Sequence, residues 1–300
     1  MTARASRRRC LHASLAACLA LVLCACATPS VLYDKASRYS RIIVTEDDRG
    51  LRTLLFEPEG RVRQSVVKPG DPDHLELPYA KVAMVALAMC EAPRRILVVG
   101  LGGGTLPSFL RRHYPEAAID VVEIDPDIVE VAKTFFGFRE DERMRVHVAD
   151  GREFIERIGQ PRYDVIFLDA FGAKSVPPRL TTEEFLQAVR RAVMPEGVVV
   201  GNLWRPSDNP LYDSMVRTYQ EVFDDLFVIE VAGDVNNMLF ALPRRQPISQ
   251  AELARRARAI SAAGQFRFDL GDLVEASFIH AQAKEGAGRV LRDTELAPPR

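Results

Sequence analysis

The sequence predicts an α/β fold: a doubly wound, mostly parallel sheet preceded by a small antiparallel β meander. Three observations carry that expectation. Residues 94–125 read as a buried strand, a glycine turn, a helix and a second buried strand ending in an acid, the opening half of a nucleoside-binding sheet. Strand-like and helix-like segments then alternate as far as Leu242, the pattern of parallel strands joined by helical crossovers. Ahead of that run, three short β-rich stretches are separated by turn residues.

Arg4, Arg7, Arg8 and Arg9 form a basic head, and Leu11 to Leu23 is an apolar run of secretory length, too short to span a membrane. Residues 1–26 therefore read as an export signal. Its end, Leu23-Cys24-Ala25-Cys26, resembles the lipobox of bacterial lipoproteins. That resemblance implies lipidation of Cys26, a membrane anchor through the lipid and, with Ala27 following, an outer-membrane protein facing the periplasm. A start codon placed too early would instead leave a cytoplasmic protein. Residues 27–40 read as a polar tether.

Residues 41–90 read as the meander and one helix. Strands are expected over residues 41–46, 51–57 and 61–67, with turns at Asp47-Asp48-Arg49-Gly50 and Pro58-Glu59-Gly60, and residues 79–90 as a buried helix. Residues 91–245 read as the nucleoside-binding domain. Ile96 to Val99 is an apolar, β-branched run suited to a strand covered on both faces. Gly100, Gly102 and Gly104 let the backbone turn sharply and approach a ligand. Glu123 ends the next strand roughly 20 residues on, where an acid can accept from two ribose hydroxyls. Asp125-Pro126-Asp127 caps and opens the following helix. The third strand, 145–149, leads to Asp150-Gly151, and the fourth, 163–168, to Asp169. Thr181 with Glu184 reads as a capping box, Pro195-Glu196-Gly197 as the turn into a fifth strand ending at Trp204, and residues 226–231 and 237–242 as a closing pair whose last strand is antiparallel. Residues 246–300 read as a C-terminal extension with one helix, 251–263, and a tail.

With 47% hydrophobic and 27% charged residues the composition is that of a globular protein. The four arginines of the signal removed, the rest carries a net charge of about −5. A mildly acidic domain without a basic patch argues against a nucleic-acid partner and permits a cationic substrate. Four of the five cysteines lie in the signal, leaving Cys90, so no internal disulfide or thiolate metal site can form in the rest. The histidines are isolated and suggest no metal.

Ligands of open α/β sheets bind beyond the carboxyl ends of the strands, near the point where strand order reverses. A glycine turn and three acids (Glu123, Asp150 and Asp169) follow the first four strands of the main sheet in turn. At these residues the chain resembles the spermidine synthases, or polyamine aminopropyltransferases, which share the class I methyltransferase fold. The resemblance covers roughly residues 39–243 and is strongest in Val122-Glu123-Ile124-Asp125-Pro126, Asp150-Gly151 and Tyr163-Asp164-Val165-Ile166-Phe167-Leu168-Asp169. It implies that Gln64 touches the nucleoside co-substrate, that Glu123 holds its ribose, that Asp150 with Gly151 meets the adenine, and that Asp169 lies beside the reacting amine, with Tyr79 as the active-site tyrosine. Decarboxylated S-adenosylmethionine, or S-adenosylmethionine itself, would be the co-substrate, no cofactor being tightly bound. A small-molecule amine would be the acceptor, and a homodimer is compatible with the family.

Three departures bear on that expectation. Gly103 stands where the family carries an acid in its glycine turn, Gly172 where it carries a second aspartate, and Ala80-Lys81 where a polar residue and Glu follow the tyrosine. Two other readings stay open: a methyltransferase, against which Val98 occupies the place of that group's usual acid, and a degenerate nucleoside-binding protein of the envelope without activity. Dinucleotide binding is weaker, since the third fingerprint glycine falls at Thr105.

Overall fold

The computed structural model describes residues 28–57, 62–90, 92–172, 175–281 and 288–296. The export signal with Cys26 and the turn at Pro58-Glu59-Gly60 lie outside the described residues.

The chain begins with a four-stranded antiparallel sheet in sequential order: β1 (Ser30–Ala36), β2 (Arg41–Glu46), β3 (Arg52–Leu55) and β4 (Ser65–Val67). The tether expected over residues 27–40 is corrected here, because β1 pairs with β2 from Ser30 opposite Glu46 to Ala36 opposite Arg41. β1 is an edge strand with nearly every side chain exposed, so its composition imitates a linker. The expected third strand over 61–67 shortens to β4. Residues 79–90 divide into α1 (Pro78–Ala83) and a 3₁₀ turn (Met84–Ala88) whose five residues are all buried.

The main sheet follows: β5 (Arg95–Val99), α2 (Thr105–His113), β6 (Ala118–Glu123), α3 (Pro126–Phe135), β7 (Met144–Val148), α4 (Gly151–Glu156), β8 (Tyr163–Leu168), α5 (Glu183–Ala192), β9 (Val193–Trp204), α6 (Tyr212–Val222), β10 (Asp225–Glu230) and β11 (Asn236–Leu242). The extension adds α7 (Gln250–Ala263), α8 (Leu270–Ala276) and a short β12 (Ile279–His280). The eight strands run in the order β12-β10-β11-β9-β8-β5-β6-β7. The pairs β8–β9, β8–β5, β5–β6 and β6–β7 are parallel, and β11 is antiparallel to both neighbours, as the sequence predicts.

Alternation along β5 shows how both faces are covered. Ile96 and Val98 join the core under α2, α3, α7 and α8, while Leu97 and Val99 join the core under α4, α5 and α6. Asp125 caps α3, its carboxylate accepting from the Asp127 amide, with Pro126 in the first turn. The cap of α5 is Thr182, not Thr181: its hydroxyl accepts from the Phe185 amide, and the Thr181 hydroxyl donates to the Pro178 carbonyl. Glu184, expected to complete a capping box, instead accepts from the Asp293 amide at 3.0 Å.

That last contact belongs to a C-terminal strap that the sequence pattern does not show. Leu291 donates to the Thr218 hydroxyl of α6 and accepts from the Glu183 amide of α5. Asp293 takes the Arg152 guanidinium in a two-pronged pair at 2.7 and 2.5 Å. Arg152 is only 8% exposed, and its guanidinium also donates to Glu156 and to the Arg179 carbonyl. The pair depresses the Asp293 carboxyl and raises the Arg152 guanidinium. Asp293→Ala leaves this cation short of its main partner and is expected to cost about 2 kcal/mol, below the usual figure for a buried pair because Asp293 is partly exposed. Since the folded pKa of Asp293 lies below its ordinary value, that difference in denaturant midpoint is present at neutral pH and shrinks as the pH falls below about 4.

Candidate active site

The chain passes outward from β5 through β6 to β7, then returns to the other side of β5 as β8. The loops leaving β5 and β8 therefore diverge and open a crevice above their carboxyl ends. Gly100 sits at that point with φ +100°, and a Cβ there would strike the Asp169 main chain. The Asp169 amide donates to the Val99 carbonyl at 2.9 Å and the Gly100 amide to the Val122 carbonyl at 2.8 Å, which lock the three strand ends together. Above them lies a cavity of about 300 Å³.

Gln64, Tyr79, Gly100, Gly102, Glu123, Asp150, Gly151 and Asp169 all line it. Gly104 does not. Its φ is +71° and a Cβ would collide with Phe138, so this glycine serves the turn into α2 and the packing behind it. At Gly103 the space that a side chain would need is taken by the Ser65 hydroxyl and the Phe136 ring. Gly172 is different: a Cβ there makes only an ordinary contact, 3.5 Å from the Ser175 carbonyl.

Glu123 is 9% exposed and held by main chain alone, one oxygen accepting from the Leu101 amide and the other from the Asp125 amide, each at 2.9 Å. Burial pushes its carboxyl up and these N–H groups pull it back down. Each oxygen retains a lone pair for a further donor, which suits a vicinal diol. Asp150 caps α4, accepting from the Arg152 and Glu153 amides, and its second oxygen faces the Arg179 guanidinium at 3.4 Å. Gly151 follows at a position where a Cβ would press into Val99, so only glycine lets α4 start this close to β5.

Asp169 is half-buried beside the cavity. One oxygen accepts from the Asn202 amide group at 2.8 Å, and the other from the Tyr79 hydroxyl in a long hydrogen bond of 3.4 Å. Burial raises its carboxyl from 3.8 to about 6, the Asn202 and Tyr79 donors opposing that rise. Burial and the charge of Asp169 push the Tyr79 hydroxyl well above its ordinary value, so it stays a donor. A carboxylate that gives up its charge easily, fixed by two neutral donors at the rim of a nucleoside-sized hollow, is equipped to take a proton.

The sequence reading missed several lining residues. The Asn202 side-chain oxygen accepts from the Asn236 amide group at 2.7 Å, and the two residues are 3% and 7% exposed. Phe171 and Trp204 stack over the cavity at 5.8 Å and 22°. Arg63, Ser65 and Arg179 complete much of the rest. A signal was present for Asn202, a lone amide in the apolar strand run from Val198 to Leu203, where a polar side chain is tolerated only with partners.

Comparison with known proteins places the chain. Residues 79–224 match the model of the Spermine/spermidine synthase domain. The polyamine aminopropyltransferase of Vibrio vulnificus is 32% identical over 274 residues, which cover 88% of this chain and 89% of that protein. The chain belongs to the spermidine synthase family. Among solved structures, a probable spermidine synthase from Corynebacterium glutamicum shares the fold at TM-score 0.70 and 22% identity, covering 89% of this chain and 99% of that one. Human Methyltransferase-like protein 13, solved in complex with SAH, is 35% identical at TM-score 0.59, over 63% of this chain and 93% of the other. The chain also matches animal eEF1A lysine and N-terminal methyltransferases, of whose length it spans 30%. Within the spermidine synthase family, the acid missing at Gly103 has a steric account and that at Gly172 has none. Gly103→Asp is accordingly expected to lower stability by several kcal/mol through a clash with Phe136 and Ser65, and Gly172→Asp by less than about 1 kcal/mol; thermal unfolding of the two variants checks the contrast.

Proposed function

We propose that this protein transfers the aminopropyl group of decarboxylated S-adenosylmethionine to a small-molecule amine. The carrying observation is the juxtaposition of Glu123, set for a ribose, with Asp169, a carboxyl raised to about 6, on one cavity that Gly100 and Gly151 also line. Family membership supports the reading, as does the name of the Vibrio relative. Glu123 accepts from the ribose hydroxyls, the Gly100–Gly102 turn lets the nucleoside lie against the backbone, and Asp150 with Gly151 bounds the adenine. Gln64, whose carbonyl accepts from the Tyr79 hydroxyl at 3.5 Å, and Tyr79 face the donor's side chain. Asp169 holds the amine in line. As the amine nitrogen bonds to the propyl carbon, the carbon–sulfur bond breaks, its electron pair returns to sulfur to leave methylthioadenosine, and the nitrogen's surplus proton passes to Asp169. The export signal read in residues 1–26 makes the envelope the proposed place of action, with a lipid on Cys26 as anchor.

Methyl transfer from S-adenosylmethionine is the second reading, favoured by the 35% identity to the methyltransferase-like neighbour solved with SAH. It uses the same residues and differs in the donor. Calorimetry with decarboxylated S-adenosylmethionine, S-adenosylmethionine and methylthioadenosine separates the two. Tighter binding of the carboxylated donor sinks the aminopropyl reading, and no heat with any of the three leaves a protein without this activity. Glu123→Ala is expected to weaken nucleoside binding at least a hundredfold by removing the ribose acceptor.

Proton transfer to Asp169 gives kcat/KM an acidic limb near pH 6, because only the ionised carboxylate can accept. Asp169→Asn is expected to keep nucleoside affinity within about threefold while turnover falls a hundredfold or more and the limb disappears. Stability moves the other way. The folded pKa is above the ordinary 3.8, so the favourable contribution of Asp169 is present below that value and is lost as the pH rises through about 6. The Asn variant should match the parent at pH 4 and exceed it in denaturant midpoint at pH 7.5.

A further inference from the structure

We propose that Asn236 is a positioning residue: its amide fixes which end of the Asn202 side chain meets Asp169, and so keeps Asp169 ready to accept a proton. The inference rests on the reading of Asp169 as proton acceptor and names what prepares it for that part.

The three residues come from three adjacent strands, because β9 lies between β8 and β11 and Asp169 directly follows β8. Asn236 is the first residue of β11, paired with Trp204, and Asn202 lies two residues before Trp204 on β9. The Asn236 NH2 donates to the Asn202 side-chain oxygen at 2.7 Å, and the Asn202 NH2 donates to one Asp169 oxygen at 2.8 Å. Both amides are buried, so each depends on the other for its hydrogen bonds.

A side-chain amide carries donors at one end and an acceptor at the other, in nearly the same shape. Alone, Asn202 could serve either form of Asp169: its NH2 donates to the carboxylate, and its oxygen, after a half-turn, accepts from the protonated acid. Asn236 opposes the second arrangement. Against its NH2, a half-turn of Asn202 would set two donors face to face. The ionised form therefore keeps its donor, and the neutral form is denied an acceptor at that oxygen. The two amide dipoles are also aligned, which strengthens both bonds.

The other groups around Asp169 are accounted for. Its second side-chain partner among the described residues is the Tyr79 hydroxyl of α1, which also reaches the Gln64 carbonyl. Asp234, on the turn between β10 and β11, acts on that hydroxyl and, like Asp169, tightens its hold on its proton. Glu123, Asp150, Arg63 and Arg179 line the same cavity, with Glu123 held by backbone amides and Asp150 paired with Arg179. Burial raises the Asp169 carboxyl to about 6, and the Asn202 amide is the first of the two donors that hold it down.

The test is a carbon-13 NMR titration of the full-length protein labelled at its aspartate carboxyls, the Asp169 signal being the one lost in Asp169→Asn. Asn236→Ala is expected to move the Asp169 midpoint upward by about half a unit or more, roughly a threefold gain in proton affinity. Asn202→Ala is expected to move it at least as far. Adding Asn236→Ala to that variant should then shift it by no more than about 0.2 unit, since the relay is already cut. An unmoved midpoint in Asn236→Ala overturns the inference, as does an equal shift with and without Asn202, the mark of a general change in burial. The acidic limb of kcat/KM, measured with decarboxylated S-adenosylmethionine and putrescine, is expected to follow the carboxyl. A limb that stays while the carboxyl moves strikes the reading of Asp169 as proton acceptor. Absence of turnover in the parent strikes the proposed function, while the titration still decides whether Asn236 sets the Asn202 amide.

Discussion

The contact between Gly100 and the main chain of Asp169 is the constraint on which the site depends. Two parallel strands, β5 and β8, end side by side, and the loops leaving them turn in opposite directions. At the point of divergence the chains are so close that no side chain fits on the first, while the second must carry a polar residue facing the opening. That single approach sets bare backbone beside a carboxylate on the wall of the cavity. Glu123 is placed by the same locking, since Gly100 also donates to Val122, the residue before it.

Most of this was legible in the chain. Apolar runs marked β5, β6 and β8, positive-φ glycines marked the turn, and the acids closing successive strands share one cavity. What escaped notice had physical reasons. β1 hides because an edge strand exposed on both faces has no alternation to read. The strap at Leu291 and Asp293 is irregular and held by side chains from α4, α5 and α6, so no periodicity announces it. Asn202, Asn236, Phe171 and Trp204 come from segments far apart in sequence, and only the pairing of β9 with β11, with Trp204 opposite Asn236, brings three of them together. Gly104 misled for the opposite reason: a turn glycine and a ligand glycine look alike until the neighbour that excludes the side chain, here Phe138, is known.

The electrostatics of the site set function against stability. Asp169 is ionised at neutral pH only at the expense of folding free energy, and Asn202 and Tyr79 limit that cost without adding charge. In the role of proton acceptor proposed for Asp169, a full counter-ion in place of Asn202 would stabilise the carboxylate more and make it a poorer base. Glu123 follows another rule. Its charge is met by backbone N–H groups that cannot be mutated away, which keeps a buried acid in place even with the cavity open to water.

The strand that begins at Ser30 bears on how the molecule would sit at a membrane. With a lipid on Cys26, only Ala27, Thr28 and Pro29 would separate the acyl chains from folded structure, a reach of roughly 10 Å when extended. Such a leash is about as long as a phospholipid headgroup region is deep. The exposed Val31 and Leu32 of the first strand would then lie within that short reach of the bilayer.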